Sequence, residues 1–371
     1  MGQAPAASAR RDLAGEYFDQ LSSRFELAAR GRALTYGLEI GGLRFDLRFA
    51  GEAMRDVLLA PFEHLVVSDA PPAALSISAF DAASSGIEAP PPAWEAVEAV
   101  PGTNPAMRLR SERACVLAAT GTGAVTAAEP AGGRAVFHLP DAAGISPIER
   151  AAPLREALQL LMAPRGRWMT HAGAVGRGGR GVLLVGRGGS GKSTLALSCA
   201  LAGMEIVADD YVLLETDPPL AHAMQSTAKL TEDSAERLGL GRDAIDPAGF
   251  EPTLEGPAKA LVDIRTRAPG RLKPRLEIAA IVAPHVPLER SSFVGPGQTK
   301  DERNSGLEPI SAGEGLRALA PSTIIQSGFH GAAALGALGE LVRQVPSYRL
   351  SLSPDPAANA GAVDELVSKL G

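Results

Sequence analysis

The chain has 371 residues, 45% of them apolar, which is enough for two or three domains with packed cores. Its formal net charge of −6 gives no general electrostatic reason to bind nucleic acid or an acidic membrane surface, so we expect neither as a partner. The apolar runs are shorter than the roughly 20 residues that cross a bilayer. The N-terminus also lacks the apolar core of a signal peptide, and the only two cysteines are Cys115 and Cys199, so we expect a cytoplasmic protein.

The first 145 residues predict a mainly β unit. Residues 12–31 have the pattern of a short amphipathic helix, and apolar side chains alternate from Leu38 to Phe49 around the Gly41-Gly42 pair, which is typical of a β-hairpin. Further short strands are expected around 75–77, 107–109, 114–117 and 135–139. The segments 89–92 and 128–133 have the composition of loops. Because no chemical motif lies in this unit, its role stays open.

Residues 146–371 predict a second unit in which strands and helices alternate, the pattern of an α/β fold. Helices are expected at 153–162, 194–202, 312–319, 331–344 and 358–370. Apolar runs predict strands at 181–185, 204–210, 211–214, 261–264 and 278–282. Residues 230–250 are expected to be helix and loop, and 291–306 a mobile surface loop.

A complete phosphate-binding loop lies between the strand at 181–185 and the helix at 194–202. Its sequence is Gly186-Arg187-Gly188-Gly189-Ser190-Gly191-Lys192-Ser193, and we expect nucleotide contacts from Gly186, Gly188, Gly189, Ser190, Gly191, Lys192, Ser193 and Thr194. Glycines let backbone N–H groups turn towards phosphate oxygens, and the N-terminus of the following helix adds partial positive charge. We expect Lys192 to reach the β- and γ-phosphates and the Ser193 hydroxyl to bind Mg²⁺. The sequence therefore predicts a protein that binds a nucleoside triphosphate.

Two adjacent acids, Asp209 and Asp210, end the apolar strand at 204–210. Strand and helix geometry brings the end of such a strand beside the phosphate loop, where carboxylates hold Mg²⁺ or its waters. One acid suffices for the metal, so the second is a candidate for accepting the proton of an attacking hydroxyl. The alternative is that one aspartate caps the following turn.

Three further residues flank these motifs. His171 precedes the strand that leads to the loop, and it is either an active-site residue or a histidine satisfied at the start of a strand. Lys229 and Lys259 lie beside expected strands in a lysine-poor chain. Each of them either reaches a phosphate or is simply exposed.

Together these residues resemble the catalytic domain of HPr kinase/phosphorylase. The separations from His171 to the loop and from Lys192 to Asp209 are similar to those in that family, and Thr170–Val175 is similar to the segment that precedes the loop in bacterial HPr kinase-like proteins. The resemblance is clear over residues 171–215 and implies an α/β P-loop domain with a mixed sheet, related to phosphoenolpyruvate carboxykinase. It also implies particular roles, with Asp209 as general base, Asp210 and Ser193 as Mg²⁺ ligands, Lys192 as phosphate ligand and His171 as active-site histidine.

The chain departs from that family in one signature. The family's Glu-Ile-Arg-Gly-Leu-Gly segment is missing, and the nearest candidate, residues 254–263, has Lys259 where the arginine would stand. Lys259 is therefore a further catalytic candidate, and the phosphorolytic reverse reaction is not expected. Whether HPr is the substrate stays open. Divergent relatives of this kind include kinases that phosphorylate serine in ribosomally made peptide precursors and kinases that phosphorylate free serine.

The leading hypothesis is therefore a Mg²⁺- and ATP-dependent kinase for a hydroxyl acceptor, with Ser of a protein or peptide as the expected acceptor. The alternatives are a nucleotide-binding sensor or assembly NTPase and a small-molecule kinase, for example for free serine. Two adjacent acids favour a kinase over a sensor, because a sensor needs the metal ligand but no base. A homo-oligomer stays open. We also expect a fragment that starts near Pro147 to keep nucleotide binding, because every motif lies beyond that residue.

Overall fold

The computed structural model describes residues 12–68, 73–91, 98–100, 106–119, 121–246, 249–250, 257–287, 306–326 and 331–371. Two large mixed sheets carry helices on their faces, which makes this a mixed α/β protein. None of the helices within these ranges is long and apolar enough to cross a membrane. Residues 254–256 of the signature-like segment and 291–305 of the expected surface loop lie outside the described residues, and so does Pro92.

The first sheet has eight strands. Their bounds are β1 Leu34–Ile40, β2 Leu43–Phe49, β3 Leu75–Asp81, β4 Glu98–Val100, β5 Ala106–Arg110, β6 Cys115–Ala119, β7 Val125–Glu129 and β8 Arg134–Leu139. Across the sheet they lie in the order β1-β2-β3-β8-β7-β6-β5-β4. The antiparallel pairing of β1 with β2 confirms the expected hairpin. Its turn residues Gly41 and Gly42 have φ of 61° and 72°, the left-handed conformation that two-residue hairpin turns require. The expected loop at 128–133 starts later, because β7 continues to Glu129.

Helix α1, Leu13–Ala28, covers one face of this sheet. Asp12 caps its N-terminus, where the carboxylate accepts a hydrogen bond of 2.8 Å from the backbone N–H of Gly15. Phe18, Leu21 and Phe25 recur at helical spacing and are fully buried against the sheet, as the amphipathic pattern predicted. The opposite face carries helix α2, Glu52–Leu58, and the 3₁₀ helix Ala60–Leu65, while the short helix α3, Ala82–Ser85, follows β3.

The second sheet has nine strands and contains the phosphate loop. Its strand bounds are β9 Trp168–Thr170, β10 Gly173–Arg177, β11 Arg180–Leu184, β12 Glu205–Ala208, β13 Val212–Thr216, β14 Pro219–His222, β17 Arg275–His285, β18 Gly306–Ile310 and β19 Ser347–Ser351. Seven of them lie side by side in the order β12-β10-β11-β17-β14-β13-β9, and β19 pairs with both β17 and β18. The long central strand β17 is parallel to β11 and β19 but antiparallel to β14, so the sheet is mixed. Strands β15, Thr227–Thr231, and β16, Lys259–Asp263, form a separate antiparallel pair.

Eight α-helices of the described residues follow the first sheet, together with the 3₁₀ helices Ala142–Gly144, Ala163–Arg165 and Arg242–Ala244. The α-helices are α4 Pro147–Ala151, α5 Arg155–Met162, α6 Lys192–Leu201, α7 Glu232–Arg237, α8 Ile264–Arg267, α9 Ala312–Gln326, α10 Gly331–Gln344 and α11 Pro356–Leu370. Helices α6 and α11 cover one face of the second sheet, where Leu195 and Val363 belong to the same buried cluster. Helices α9 and α10 pack on the other face through Leu319 and Leu338. The helices expected at 331–344 and 358–370 are confirmed, and α9 extends well beyond the expected 312–319.

The two sheets share one apolar core. Its buried side chains come from both sheets, among them Phe137, Leu183 and Leu213, and from helix α5 through Leu158. The guanidinium of Arg167 donates a hydrogen bond of 3.0 Å to the carbonyl of Gly41, and the N–H of Ser226 donates one of 2.9 Å to the carbonyl of Pro61. The N-terminal sheet therefore covers one face of the sheet that carries the phosphate loop. A fragment from Pro147 would therefore lack the cover of this face, and whether it keeps nucleotide binding stays a prediction.

Candidate active site

The phosphate loop occupies residues 185–191, between β11 and α6. Gly191 precedes the helix with φ of 92°, and a Cβ at this position would overlap the side chain of Leu352. Gly186 has φ of 144°, and a Cβ there would lie 2.8 Å from the hydroxyl of Ser190. Both ends of the loop thus require glycine for conformational and steric reasons. The tip at 187–189 is exposed and open to a ligand.

Lys192 is held inside this loop. Only 6% of the residue is exposed, and its ammonium donates hydrogen bonds to the carbonyls of Gly186 at 2.7 Å and Arg187 at 3.3 Å. Burial lowers the pKa of the ammonium, the charges of Asp210 and Asp209 raise it, and that of Lys259 lowers it further. The net direction is downwards. The lysine is therefore a desolvated cation beside the exposed loop, where an anionic ligand would gain most from it.

Asp209 follows β12 and is fully buried. Its Oδ2 accepts a hydrogen bond of 2.9 Å from the backbone N–H of Lys229, whereas Oδ1 has no hydrogen-bond partner among the described residues. Burial and the neighbouring charge of Asp210 raise the pKa of the Asp209 carboxyl, and the Lys229 N–H and the adjacent Ser193 hydroxyl lower it. The result is a buried carboxylate that lies next to the loop serine and has one oxygen left for a further ligand.

Asp210, the next residue, has different surroundings. Its Oδ1 lies 2.7 Å from Nε2 of His171, and its Oδ2 lies 2.5 Å from the ammonium of Lys229. Burial alone raises the pKa of this carboxyl, but Lys229 and His171 outweigh it and hold the pKa well below its usual range. Burial likewise lowers the pKa of Lys229, and Asp210 more than offsets that effect, so the lysine pKa is raised. Asp210 is thus an ionised carboxylate clamped between two side chains.

Three other residues expected at the site, Thr194, Ser190 and Lys259, have different surroundings from one another. The Thr194 hydroxyl donates a hydrogen bond of 2.9 Å to Ser234, so its side chain connects α6 to α7. The hydroxyl of Ser190 is buried and has no partner within the described ranges. Lys259 begins β16 and is half-buried, close enough to affect Lys192, and it forms no ion pair with any residue that the structure describes.

Two residues near Asp210, namely Tyr211 and Arg155, were missed in the sequence analysis. Tyr211 contacts His171 and Lys229, and Arg155 contacts Tyr211. Tyr211 directly follows the two acids, which was an available signal, but its apolar neighbours favoured interpretation as an ordinary strand residue. Arg155 begins a helix that is distant in sequence from every motif, and no local pattern marks it.

The chemistry of these residues fits Mg²⁺ with a bound nucleotide. Within the described ranges, no group of three or more His, Cys, Asp and Glu residues is arranged to hold a metal ion by itself. Mg²⁺ bound with a nucleotide takes one or two protein oxygens, and phosphate oxygens and water complete its ligands. The Ser193 hydroxyl and the unpaired Oδ1 of Asp209 are hard oxygen donors of this kind.

Comparisons with known proteins give one weak structural likeness. No family model matches the sequence, and no curated protein matches it. Among solved structures, the chain is similar to the Hpr(Ser) kinase/phosphatase from Coxiella burnetii, with 14% identity over 54% of this chain and 97% of that chain and a TM-score of 0.29. A likeness at this TM-score supports no statement about the fold or the activity of the chain. Any assignment of activity therefore depends on the residues of the site.

Proposed function

We propose that this protein is a Mg²⁺- and ATP-dependent phosphotransferase of the HPr kinase-like kind, which transfers the γ-phosphate to a hydroxyl group of a protein or peptide serine. One observation carries the proposal. Two adjacent carboxylates lie beside a complete phosphate loop, and the surroundings of the one differ from those of the other. Asp209 is buried next to Ser193 with one unpaired oxygen. Asp210 is ionised between Lys229 and His171. A site that only binds nucleotide needs the first carboxylate but not the second.

Nucleotide binding is assigned to the loop and to Lys192. The glycine-dependent backbone at 186–191 presents N–H groups, and α6 contributes the positive end of its dipole. Lys192 leaves the carbonyls of Gly186 and Arg187 to pair with phosphate oxygens, which are stronger, charged acceptors. Bound Mg·ATP supplies the transferable phosphoryl group and the neutralisation of its charge.

We assign Mg²⁺ binding to Asp209 together with Ser193. This assignment is the reverse of the family resemblance, which implies Asp209 as the base and Asp210 as the Mg²⁺ ligand. Asp209 has the unpaired oxygen, and the Ser193 hydroxyl lies next to it. Both oxygens of Asp210, in contrast, already have partners, the Nε2 atom of His171 and the ammonium of Lys229. A metal ligand at Asp210 would have to displace an ammonium or an imidazole, so Asp209 is the better candidate.

The base role is assigned to Asp210. As the bond between the acceptor oxygen and the γ-phosphorus forms, the bond from that phosphorus to the β,γ-bridging oxygen would break and ADP would leave. The acceptor hydroxyl becomes acidic in this step, and its proton would pass to the Asp210 carboxylate. A carboxylate of low pKa is a weak base early in the reaction, so its first task is to orient the hydroxyl. Lys229 and His171 keep it ionised in a buried setting and fix the direction of its oxygens.

Paired substitutions of the two acids test these roles. Asp210→Asn is expected to lower phosphate transfer on the order of 10²–10⁴-fold with Mg·ATP affinity unchanged, because it removes the proton acceptor but no metal ligand. Asp209→Asn is expected to raise the Mg²⁺ concentration needed for ATP binding. Calorimetry measures the binding, and transfer from γ-labelled ATP to peptide libraries, lysate proteins and free serine measures the reaction. If the two variants have the same metal dependence, the division of roles is wrong. If wild-type protein hydrolyses ATP slowly and labels no acceptor, a nucleotide sensor replaces the kinase.

A further inference from the structure

The ring of Tyr211 lies against both partners of Asp210. Only 4% of Tyr211 is exposed, its ring centroid is 5.5 Å from that of His171 with 32° between the planes, and the Lys229 ammonium is 5.6 Å from its centroid. An ammonium at this distance from an aromatic ring is attracted by the ring quadrupole. The ring therefore limits where both side chains can be, and these are the two groups that orient Asp210.

Arg155 in turn holds Tyr211. Its guanidinium donates a hydrogen bond of 3.2 Å to the tyrosine hydroxyl, and its central carbon lies 5.5 Å from the ring centroid. Glu156 pairs with the same guanidinium at 2.6 Å, so the charge of Arg155 is compensated. Arg155 therefore acts on the ring by contact and hydrogen bonding and is the first residue of helix α5.

The residue before Arg155 connects this helix to the N-terminal sheet. Leu154 has φ of 57° and is the one non-glycine residue with positive φ in the described chain. A left-handed leucine persists only where its surroundings hold it. Its side chain is buried in the shared core and lines a small apolar cavity with Phe62 and Ile77. Both of these residues belong to the N-terminal half of the chain, residues 1–145. The N-terminal half thus lines the pocket around the left-handed residue that precedes Arg155.

We propose that Arg155 and Tyr211 are positioning residues through which the N-terminal half fixes the orientation of Asp210. The contacts form a continuous series, from the pocket around Leu154 through Arg155 to the Tyr211 ring and from there to Lys229 and His171. This gives the N-terminal sheet a role in the reaction without any contact to a substrate. The catalytic part of the proposal rests on the proposed function, whereas the positioning of Lys229 is a property of the free protein.

The first experiment compares two substitutions of the ring. Tyr211→Leu removes it, so kcat for transfer is expected to fall on the order of tenfold to 10²-fold with KM for ATP unchanged, the scale of a small displacement of a reacting group. Tyr211→Phe keeps the ring against His171 and Lys229 but removes the hydroxyl that accepts the Arg155 hydrogen bond, so its loss of kcat is expected to be smaller than that of Tyr211→Leu. In the Asp210→Asn background, Tyr211→Leu is expected to have no further effect, because it acts through that carboxylate. A full additional loss in that background, or an equal loss in Tyr211→Phe, overturns the proposal.

The second experiment needs no catalytic activity. An amine-acylating ester labels lysines in the full-length protein, and peptide mass spectrometry compares Lys229 with Lys369, whose side chain is 69% exposed. Tyr211→Leu, Leu154→Gly and the charge-balanced pair Arg155→Gln with Glu156→Gln are each expected to raise the relative labelling of Lys229 several-fold. Tyr211→Phe keeps the ring against the Lys229 ammonium and is expected to raise the labelling less than Tyr211→Leu does. Asp210→Asn, which removes the partner of Lys229, is the positive control.

Unchanged labelling in the three test variants overturns the positioning role even if the kinase is real. Raised labelling in a protein that transfers no phosphate supports the positioning of Lys229 and refutes the kinase. The two proposals therefore fail separately. Raised labelling in Tyr211→Leu but not in Leu154→Gly refutes the connection to the N-terminal half.

Discussion

His138 makes the folded protein sensitive to acid. It lies on β8 with 3% of the residue exposed, and its ring centroid is 4.7 Å from that of Phe80. Neither ring nitrogen has a hydrogen-bond partner among the residues described. Burial lowers the pKa of His138 to about 4, and the charge of Asp81 offsets only part of that effect. The folded state therefore binds this proton less readily than the unfolded chain, in which the pKa is near 6.5.

The sign and size of the effect follow from these two pKa values. Above pH 6.5 the histidine is neutral in both states and has no effect on the free energy of unfolding. As the pH falls from 6.5 towards 4, the unfolded chain takes up the proton first and stability is lost. By this linkage the loss attributable to His138 is about 2 kcal/mol at pH 5.0 and close to zero at pH 7.5.

Urea unfolding followed by circular dichroism at pH 7.5 and pH 5.0 measures the loss. His138→Phe removes the titrating ring and keeps an aromatic group against Phe80. Its stability is therefore expected to fall by about 2 kcal/mol less than that of the wild type between the two pH values. Other buried histidines such as His64 contribute equally to both proteins and cancel. The same pH-dependent loss in both proteins would refute the account of His138.

The remaining predictions concern the loop and the shared core. Gly191→Ala is expected to lower the free energy of unfolding by about 1–2 kcal/mol, because alanine is strained at φ of 92° and its Cβ would overlap Leu352. The matched control Gly188→Ala, which meets no described atom within 4 Å, is expected to change it by less than about 0.5 kcal/mol, and equal effects in urea unfolding would contradict this account of the loop. A fragment from Pro147 lacks the first sheet, so the apolar face that this sheet buries becomes exposed. Unlike the full chain, the fragment is therefore expected to bind an apolar dye and to self-associate in size-exclusion chromatography. A monomeric fragment with full ATP affinity would show that the two halves fold separately.

The sequence was sufficient for the features that depend on local physics. The phosphate loop needs glycine at particular φ values, and a strand and a helix on either side, all of which are visible within about twenty residues. The Gly41-Gly42 hairpin and the amphipathic helix α1 were predictable for the same reason, since turn conformation and helical periodicity are short-range properties.

The tertiary structure alone distinguished the two acids. In the sequence Asp209 and Asp210 are equivalent neighbours, and the family resemblance implied the base at the first and the metal ligand at the second. Their charge states and pairing depend on burial and on Lys229 of β15 and His171, which lies between β9 and β10. Because a pKa shift is set by whatever surrounds a group in space, no local pattern encodes it.

The same limit applies to the N-terminal half. Alternating apolar residues showed that its strands have a buried face, but the alternation does not say what covers that face. Only the folded chain shows that the cover is the sheet with the phosphate loop, and that Leu154 and Arg155 lie at the junction. Contacts between residues far apart in sequence arise from the complementary shapes of whole surfaces, so the sequence specified the elements and the tertiary structure decided which of them meet at the site.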